Sequence, residues 1–268
     1  MVVGAGQAGL SLSHELSQAA VEHIVLDRGR VGETWRGRWD SFCLVFPNWT
    51  VQLPGGRYEG GDPDGFMSRD HIVGYLVAYA DGFGAPVREG VEVSWLGQGD
   101  DGRFLLRTSA GDIRAQQVVV ASGAYQKPHR PPASAELPVS LHKMDAEDYT
   151  NPGALPSGPV LVVGSGQTGC QLAESRRAGT CTWRVGAPLG LRDGSTVRDT
   201  LAWMTETPLM DATLDDLPSP IARLGANPQA TGRTAATTFT TEHCKHWVSI
   251  CWDTSSAPRT PWLISLRT

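Results

Sequence analysis

No two of the five cysteines form a C-x-x-C: Cys43, Cys170, Cys181, Cys244 and Cys251 are scattered through 268 residues. That excludes a paired redox dithiol. An odd count without regular spacing points to a reduced, cytoplasmic chain rather than a disulfide scaffold. Basic charge is also scarce. Lys and Arg number 23 against 28 Asp and Glu, and the net charge of −5 argues against nucleic acid or an anionic membrane as the main partner, since both reward basic patches. No apolar run approaches the ~20 residues of a membrane-spanning helix. No basic segment followed by an apolar stretch opens the chain, so no secretory signal is read. Only Met1, Val2 and Val3 precede the first glycine, which reads as a clipped strand whose start lies upstream. Zinc-type ligands gather once, in "HCKHWVSIC", with His243, Cys244, His246 and Cys251. That spacing matches no regular finger, and the adjacent His243 and Cys244 point apart on any regular element, so no metal site is read.

Glycine is plentiful, at 31 residues, and it is used twice in the same way: "VVGAGQAGL" near the N-terminus recurs as "VVGSGQTGC" 160 residues later. Each copy begins with branched apolar residues, the pattern of a parallel strand covered on both faces. G-x-G-x-x-G follows, then a helical pattern with Leu10, Leu12 and Leu16 in one copy and Leu172 in the other. The first glycine (Gly4, Gly164) allows the tight turn. The second (Gly6, Gly166) lets a pyrophosphate approach the backbone, and the third (Gly9, Gly169) lets the helix sit close to the strand. Gln7 and Ala8, and in the second copy Ser165, Gln167 and Thr168, fall at the helix N-terminus, where free N–H groups and partial positive charge favour phosphates. A strand before and a helix after is the context that confirms such a motif. Asp27 ends the strand "HIVLD", 23 residues after Gly4, where an acid accepts both ribose hydroxyls of an adenosine. The alternative is a solvated strand-end aspartate.

Between the copies, "SRDHIVGYLVAYADGFG" reads as a helix capped by Ser68, with Ile72, Tyr75, Leu76 and Tyr79 on its apolar face. The segment 91–122 reads as strands joined by Gly/Asp turns, the last of them, "QQVVVAS", buried. "QKPHRPP" is a linker. The fold class is therefore α/β, with two dinucleotide-binding, Rossmann-like domains: residues 1–152, then 153–232, the second incomplete, and an irregular tail at 233–268. Two such domains imply two dinucleotides, a flavin that stays and a nicotinamide that visits.

At "VVGAGQAGL", "GETWRGRWDSFCLVFPNW", "VVVASGAYQKPHRP", "LHKMDAEDYTNP" and "VLVVGSGQTGCQLAE", in that order over residues 1–174, the chain resembles the bacterial flavin-containing monooxygenases. That group includes Baeyer–Villiger enzymes, plant indolepyruvate monooxygenases and CzcO-type flavoproteins linked to cation efflux. The resemblance implies FAD on the first fingerprint and Asp27, with Trp35 and Arg36 lining the flavin. Ser122 and Gly123 match the Thr-Gly of the family's ATG-type motif, with serine for threonine. Asn48 falls where many members place an asparagine near flavin C4a, bonded to the hydroperoxide; its other reading is a turn residue after Pro47. His142 and Tyr149 match in part the signature that precedes the second fingerprint. The implied reaction has NADPH reduce FAD, O2 add at C4a, and one oxygen atom pass to a small organic substrate. Arg184, with no acid at its position, points to the 2′-phosphate of NADPH. The competing readings are an NAD(P)H-dependent flavin reductase or dehydrogenase without oxygen transfer, and a non-catalytic truncated remnant, since family members run on beyond this length to close the FAD domain.

Two segments, 175–199 and 233–268, have a different texture. A back-translation moved by one frame turns the tail into a helix-like pattern, and "RRAGTCTWRVGAPLGLR" into a helix end, a strand and a terminal arginine. Both segments are therefore read as out-of-frame translations, and the second strand of the nicotinamide domain is expected to be missing.

Overall fold

A computed structural model describes residues 1–99, 101–125, 127–128, 130, 132–158, 160–164, 167–175, 181–184, 205–206, 211, 213–216, 219 and 262–265. The chain divides into two compact units: Met1–Arg38 with Asn48–Lys127, and Trp39–Pro47 with Pro128–Thr268.

The first unit starts with β1 (Val2–Val3), α1 (Gln7–Gln18) and β2 (Val25–Leu26), followed by the short α2 (Glu33–Arg36). A hairpin, β3 (Gln52–Leu53) and β4 (Gly56–Arg57), precedes α3 (Arg69–Gly82) and β5 (Val87–Arg88). The sheet runs β5-β2-β1-β9, all parallel, where β9 is Val119–Val120. The central strands, short as they are, hold because their side chains are enclosed: Val2 of β1 and Val25 and Leu26 of β2 are fully buried, as is Leu10 of α1, each contributing ~1.5–3 kcal/mol. The fourth strand is reached through an antiparallel meander, β6 (Val93–Gln98), β7 (Phe104–Thr108) and β8 (Gly111–Ala115). The capping expected of Ser68 is present, its Oγ accepting from the His71 N–H at 3.5 Å. α3 buries Ile72, Val73, Leu76 and Ala80. Tyr75 and Tyr79 lie beside that stripe rather than within it.

One strand differs from expectation. The valines of β9 are 46% and 61% exposed, because β9 is the last strand of its sheet and no described element covers these side chains.

The second unit carries β10 (His142–Asp145), β11 (Val160–Val163), α4 (Gln167–Ser175), β12 (Cys181–Arg184) and β13 (Trp262–Ser265). Its sheet runs β10-β13-β11-β12, again all parallel. Trp39, Tyr149, Val160, Val162 and Leu172 form its core. β10 pairs into this sheet, and Ala146 and Tyr149 pack in this core. The strand expected to be missing is present as a backbone element: β12 pairs with β11 from Val160↔Cys181 to Val163↔Arg184. The tail likewise supplies β13. Parallel pairing uses backbone groups, and both tetrapeptides carry the aromatic and β-branched types that suit strands. The rest of 176–199 and 233–268, "HCKHWVSIC" included, lies outside the described residues. Among the described residues no helix is long and apolar enough to cross a membrane.

Candidate functional site

The first glycine turn sits at the C-terminal ends of the parallel strands, directly before α1. Gly4 has φ +112°, in the region that glycine alone enters freely. A Cβ there would lie 2.7 Å from the Ala121 carbonyl carbon and 3.1 Å from the Ser122 nitrogen. A Cβ at Gly9 would strike the Gly4 carbonyl oxygen and lie 2.9 Å from its carbon. Gly6 is different. It is extended, with φ −84° and ψ −170°, and a Cβ added to it meets nothing within 4 Å. The fold thus requires glycine at 4 and 9 but not at 6, where only a ligand approaching the backbone would.

α1 opens at Gly6 without a side-chain cap and without an acid in its first turn. Its leading N–H groups, those of Gln7, Ala8 and Gly9, have no intrahelical acceptor. Asp27, at the end of β2, spans the turn: Oδ2 accepts the Ala5 N–H at 2.7 Å and Oδ1 the Gly29 N–H at 2.8 Å. Each oxygen keeps a second lone pair. Ser122 and Gly123 follow β9 beside Gly4, with Gly123 at φ +83°. The structure therefore brings Gly4, Gly6, Gly9, Asp27 and Ser122 to one end of the sheet. Sequence patterns overlooked Ala5, whose backbone fastens Asp27; no side-chain signal marks such a position.

Trp35 and Arg36 lie in α2, both half-buried. The Arg36 Nη2 donates to the Val31 carbonyl at 3.4 Å, and its buried Nε has no hydrogen-bond partner among the described residues. Glu33, in the same helix, is held below the usual carboxylate range, chiefly by its hydrogen bond to the Arg30 guanidinium. Asn48 is 4% exposed. Its Nδ2 donates to the Asp62 carbonyl at 2.8 Å, and its Oδ1 accepts the Met67 N–H at 2.6 Å. Those are the bonds of a loop-closing residue, and they leave one Nδ2 hydrogen for any other partner.

In the second unit the sequence of the turn recurs, and its first glycine repeats the positive φ of Gly4. Gly164 has φ +125° against +112° at Gly4, and α4 begins at Gln167, with Thr168 half-buried and Gly169 buried behind it. Ser165 and Gly166 lie outside the described residues. The Tyr149 hydroxyl pairs with Ser175 Oγ at 2.7 Å, and Gln171 donates to the Cys43 carbonyl at 2.9 Å, so α4 is anchored at its middle and end. His142 lies on β10. Arg184 ends β12.

Two parallel sheets, each with a strand, a glycine turn and a helix, define an α/β protein of the dinucleotide-binding fold type. The chain belongs to the pyridine nucleotide-disulphide oxidoreductase family, whose model matches residues 1–180. It is 39% identical over 174 residues to an uncharacterised CzcO-like oxidoreductase of Geobacillus kaustophilus, covering 65% of this chain and 49% of that protein. It is 28% identical over 211 residues to the indole-3-pyruvate monooxygenase YUCCA4 of Oryza sativa subsp. japonica, covering 72% of this chain and 47% of that one. Its fold matches the flavin-containing monooxygenase of Stenotrophomonas maltophilia with a TM-score of 0.68 at 21% identity, over 100% of this chain and 77% of that one. The chain spans about half the length of the curated relatives it matches.

Proposed function

We propose that the first unit holds FAD, the second takes NADPH, and the protein is a monooxygenase-type oxidoreductase acting on a small organic substrate and O2. The observation that carries this reading is Gly6: neither its backbone conformation nor its packing calls for glycine, so the missing side chain serves an incoming pyrophosphate. Bound there, a flavin accepts electrons from a nicotinamide and supplies the chemistry by which one oxygen atom reaches the substrate. The chain's own groups do the holding. The α1 N-terminus faces the phosphates. The free lone pair on each Asp27 oxygen suits one hydroxyl of a ribose diol. Trp35, Ser122, Gly123 and the second-copy residues Gly164 to Gly169 complete the proposed cofactor contacts.

Asn48 favours keeping a second reading, an NAD(P)H-dependent flavin reductase without oxygen transfer. Its two amide atoms already hold the 62–67 backbone, so its role as an oxygen-transfer donor rests on one hydrogen. The lack of a C-x-x-C speaks against thiol–disulfide chemistry within this family. The absorption spectrum of the purified chain tests the proposal. Flavin bands that bleach on anaerobic addition of NADPH support it, and a colourless protein that takes up no FAD overturns it. Oxygenated product, as opposed to H2O2 alone, separates the two readings.

A further inference from the structure

Residues 48–67 close on themselves. Asn48 N–H bonds to Gly65 O at 2.8 Å and Trp49 N–H to Pro63 O at 2.9 Å, alongside the two amide bonds of Asn48. From this closed loop the β3–β4 hairpin reaches over α1 and α3. Tyr75 donates its hydroxyl to Gly56 O at 3.2 Å and Tyr79 to Pro54 O at 2.6 Å. Gly55, at φ +68°, turns the tip against the His14 ring, and a Cβ on Gly56 would lie 2.6 Å from Tyr79 Cδ2. The glycines let the strap lie flat on the rings.

Beside it is an open-mouthed cavity of about 1150 Å³. The chain has 6 Phe and 5 Tyr, and Tyr58, Phe66, Tyr75, Tyr79 and Phe83 all line this one space, with His14. Nearly half of those rings border this one space, where Tyr75, Tyr79 and Phe83 also pack on one another and on His14. Tyr75 and Tyr79 are near-parallel, 10° apart with centroids at 6.4 Å, and His14 continues the stack at 5.9 Å. The cavity lies away from the glycine turn, since His14 is two turns beyond Gly6 on α1, ~12 Å along the helix axis, although Asn48 also lines it.

We propose that this cavity binds a small planar aromatic molecule bearing a hydrogen-bond donor on its ring, a phenol-type ligand. The rings supply stacking area already fixed by the hairpin bonds, which lowers the ordering cost of binding. Both tyrosine protons are spent on hairpin carbonyls, so toward any further partner their oxygens act as acceptors only, alongside Glu59 and Asp62, which line the same cavity. Burial, reinforced by Tyr75 and Glu15, pushes Tyr79 up to about 12, so its hydroxyl keeps the proton that pins the strap. A ring with its own O–H fits that acceptor set, and a ring without one leaves it unused.

The test is titration of the intact chain with 4-methylphenol and with 4-methylanisole, the same ring lacking the donor, followed by calorimetry or ligand-observed NMR. The expected result is saturable binding of the phenol, with the ether about tenfold weaker, as loss of one hydrogen bond implies. Tyr79→Phe should bring the two ligands close to parity, and Phe83→Leu should weaken both alike; melting curves confirm that each variant is folded. Gly6→Val should leave phenol binding unchanged. No saturable binding, equal binding of the two ligands to the native chain, or loss of phenol binding in folded Gly6→Val overturns the proposal.

Discussion

A side chain at Gly9 would meet the carbonyl of Gly4, whereas one at Gly6 would meet open space. Two glycines three residues apart thus answer to different constraints, and mutation separates them. Gly9→Ala should destabilise the first unit by ~1–3 kcal/mol, the usual range for overpacking, visible as a lowered urea midpoint. Gly6→Val should cost no more than about 1 kcal/mol, the difference in N-cap preference, yet purify without flavin; a yellow Gly6→Val protein would remove the cradle reading. Asn48 makes the complementary case. Replacing it with leucine strands the buried Met67 N–H, at ~1–3 kcal/mol for an unsatisfied group, whereas the Asp62 carbonyl still accepts from the Gly65 N–H. Urea denaturation of Asn48→Leu should therefore show a loss of roughly 1–3 kcal/mol on that principle. Unchanged stability together with increased H2O2 release would instead assign Asn48 to the chemistry.

The helices and strands were legible wherever one segment carried its own signal. Ser68 and the apolar stripe behind it announce α3, and the glycine turns announce α1 and α4. The hairpin on α3 has no such signal, because its bonds join Pro54 and Gly56 to tyrosines some twenty positions away. Tyr79 gives that contact a pH dependence. Its folded-state value is raised from 10.0 to about 12, first by burial, then by Tyr75 and Glu15. Above pH 10 the unfolded chain loses the tyrosine proton while the native chain keeps it, so the unfolded state binds fewer protons and stability falls as pH rises. The contribution is complete below about 10 and is lost through about 12. Denaturant midpoints of the native chain should drop across that window more steeply than those of Tyr79→Phe; identical slopes would place Tyr79 in open solvent.

Two units, each with a parallel sheet and a glycine turn, make a protein whose cofactor functions should come apart under mutation. Gly166 lies outside the described residues, but its sequence position repeats that of Gly6. Gly166→Val should give a yellow protein whose flavin is reduced slowly or not at all by NADPH, while dithionite still bleaches it. Loss of flavin in Gly166→Val with normal retention in Gly6→Val would reverse the assignment of the two nucleotides. Rapid-scan absorbance under nitrogen distinguishes these outcomes.

Both fingerprints could be read from the chain alone because their physics is local: Gly4 and Gly164 adopt the same positive φ within a turn that a few consecutive residues specify. The helix after each turn, and the strand before it, carry their own periodicity. Membership of the units could not be read that way. Residues 39–47 join the second core through Trp39 and through the Gln171 bond to Cys43, and β12 and β13 exist by pairing with strands far away in sequence. The exposure of Val119 and Val120, and the commitment of Asn48 to its own loop, depend likewise on which neighbours arrive. A strand's hydrogen bonds and a side chain's burial are completed by groups from elsewhere in the chain, so only the assembled structure decides them.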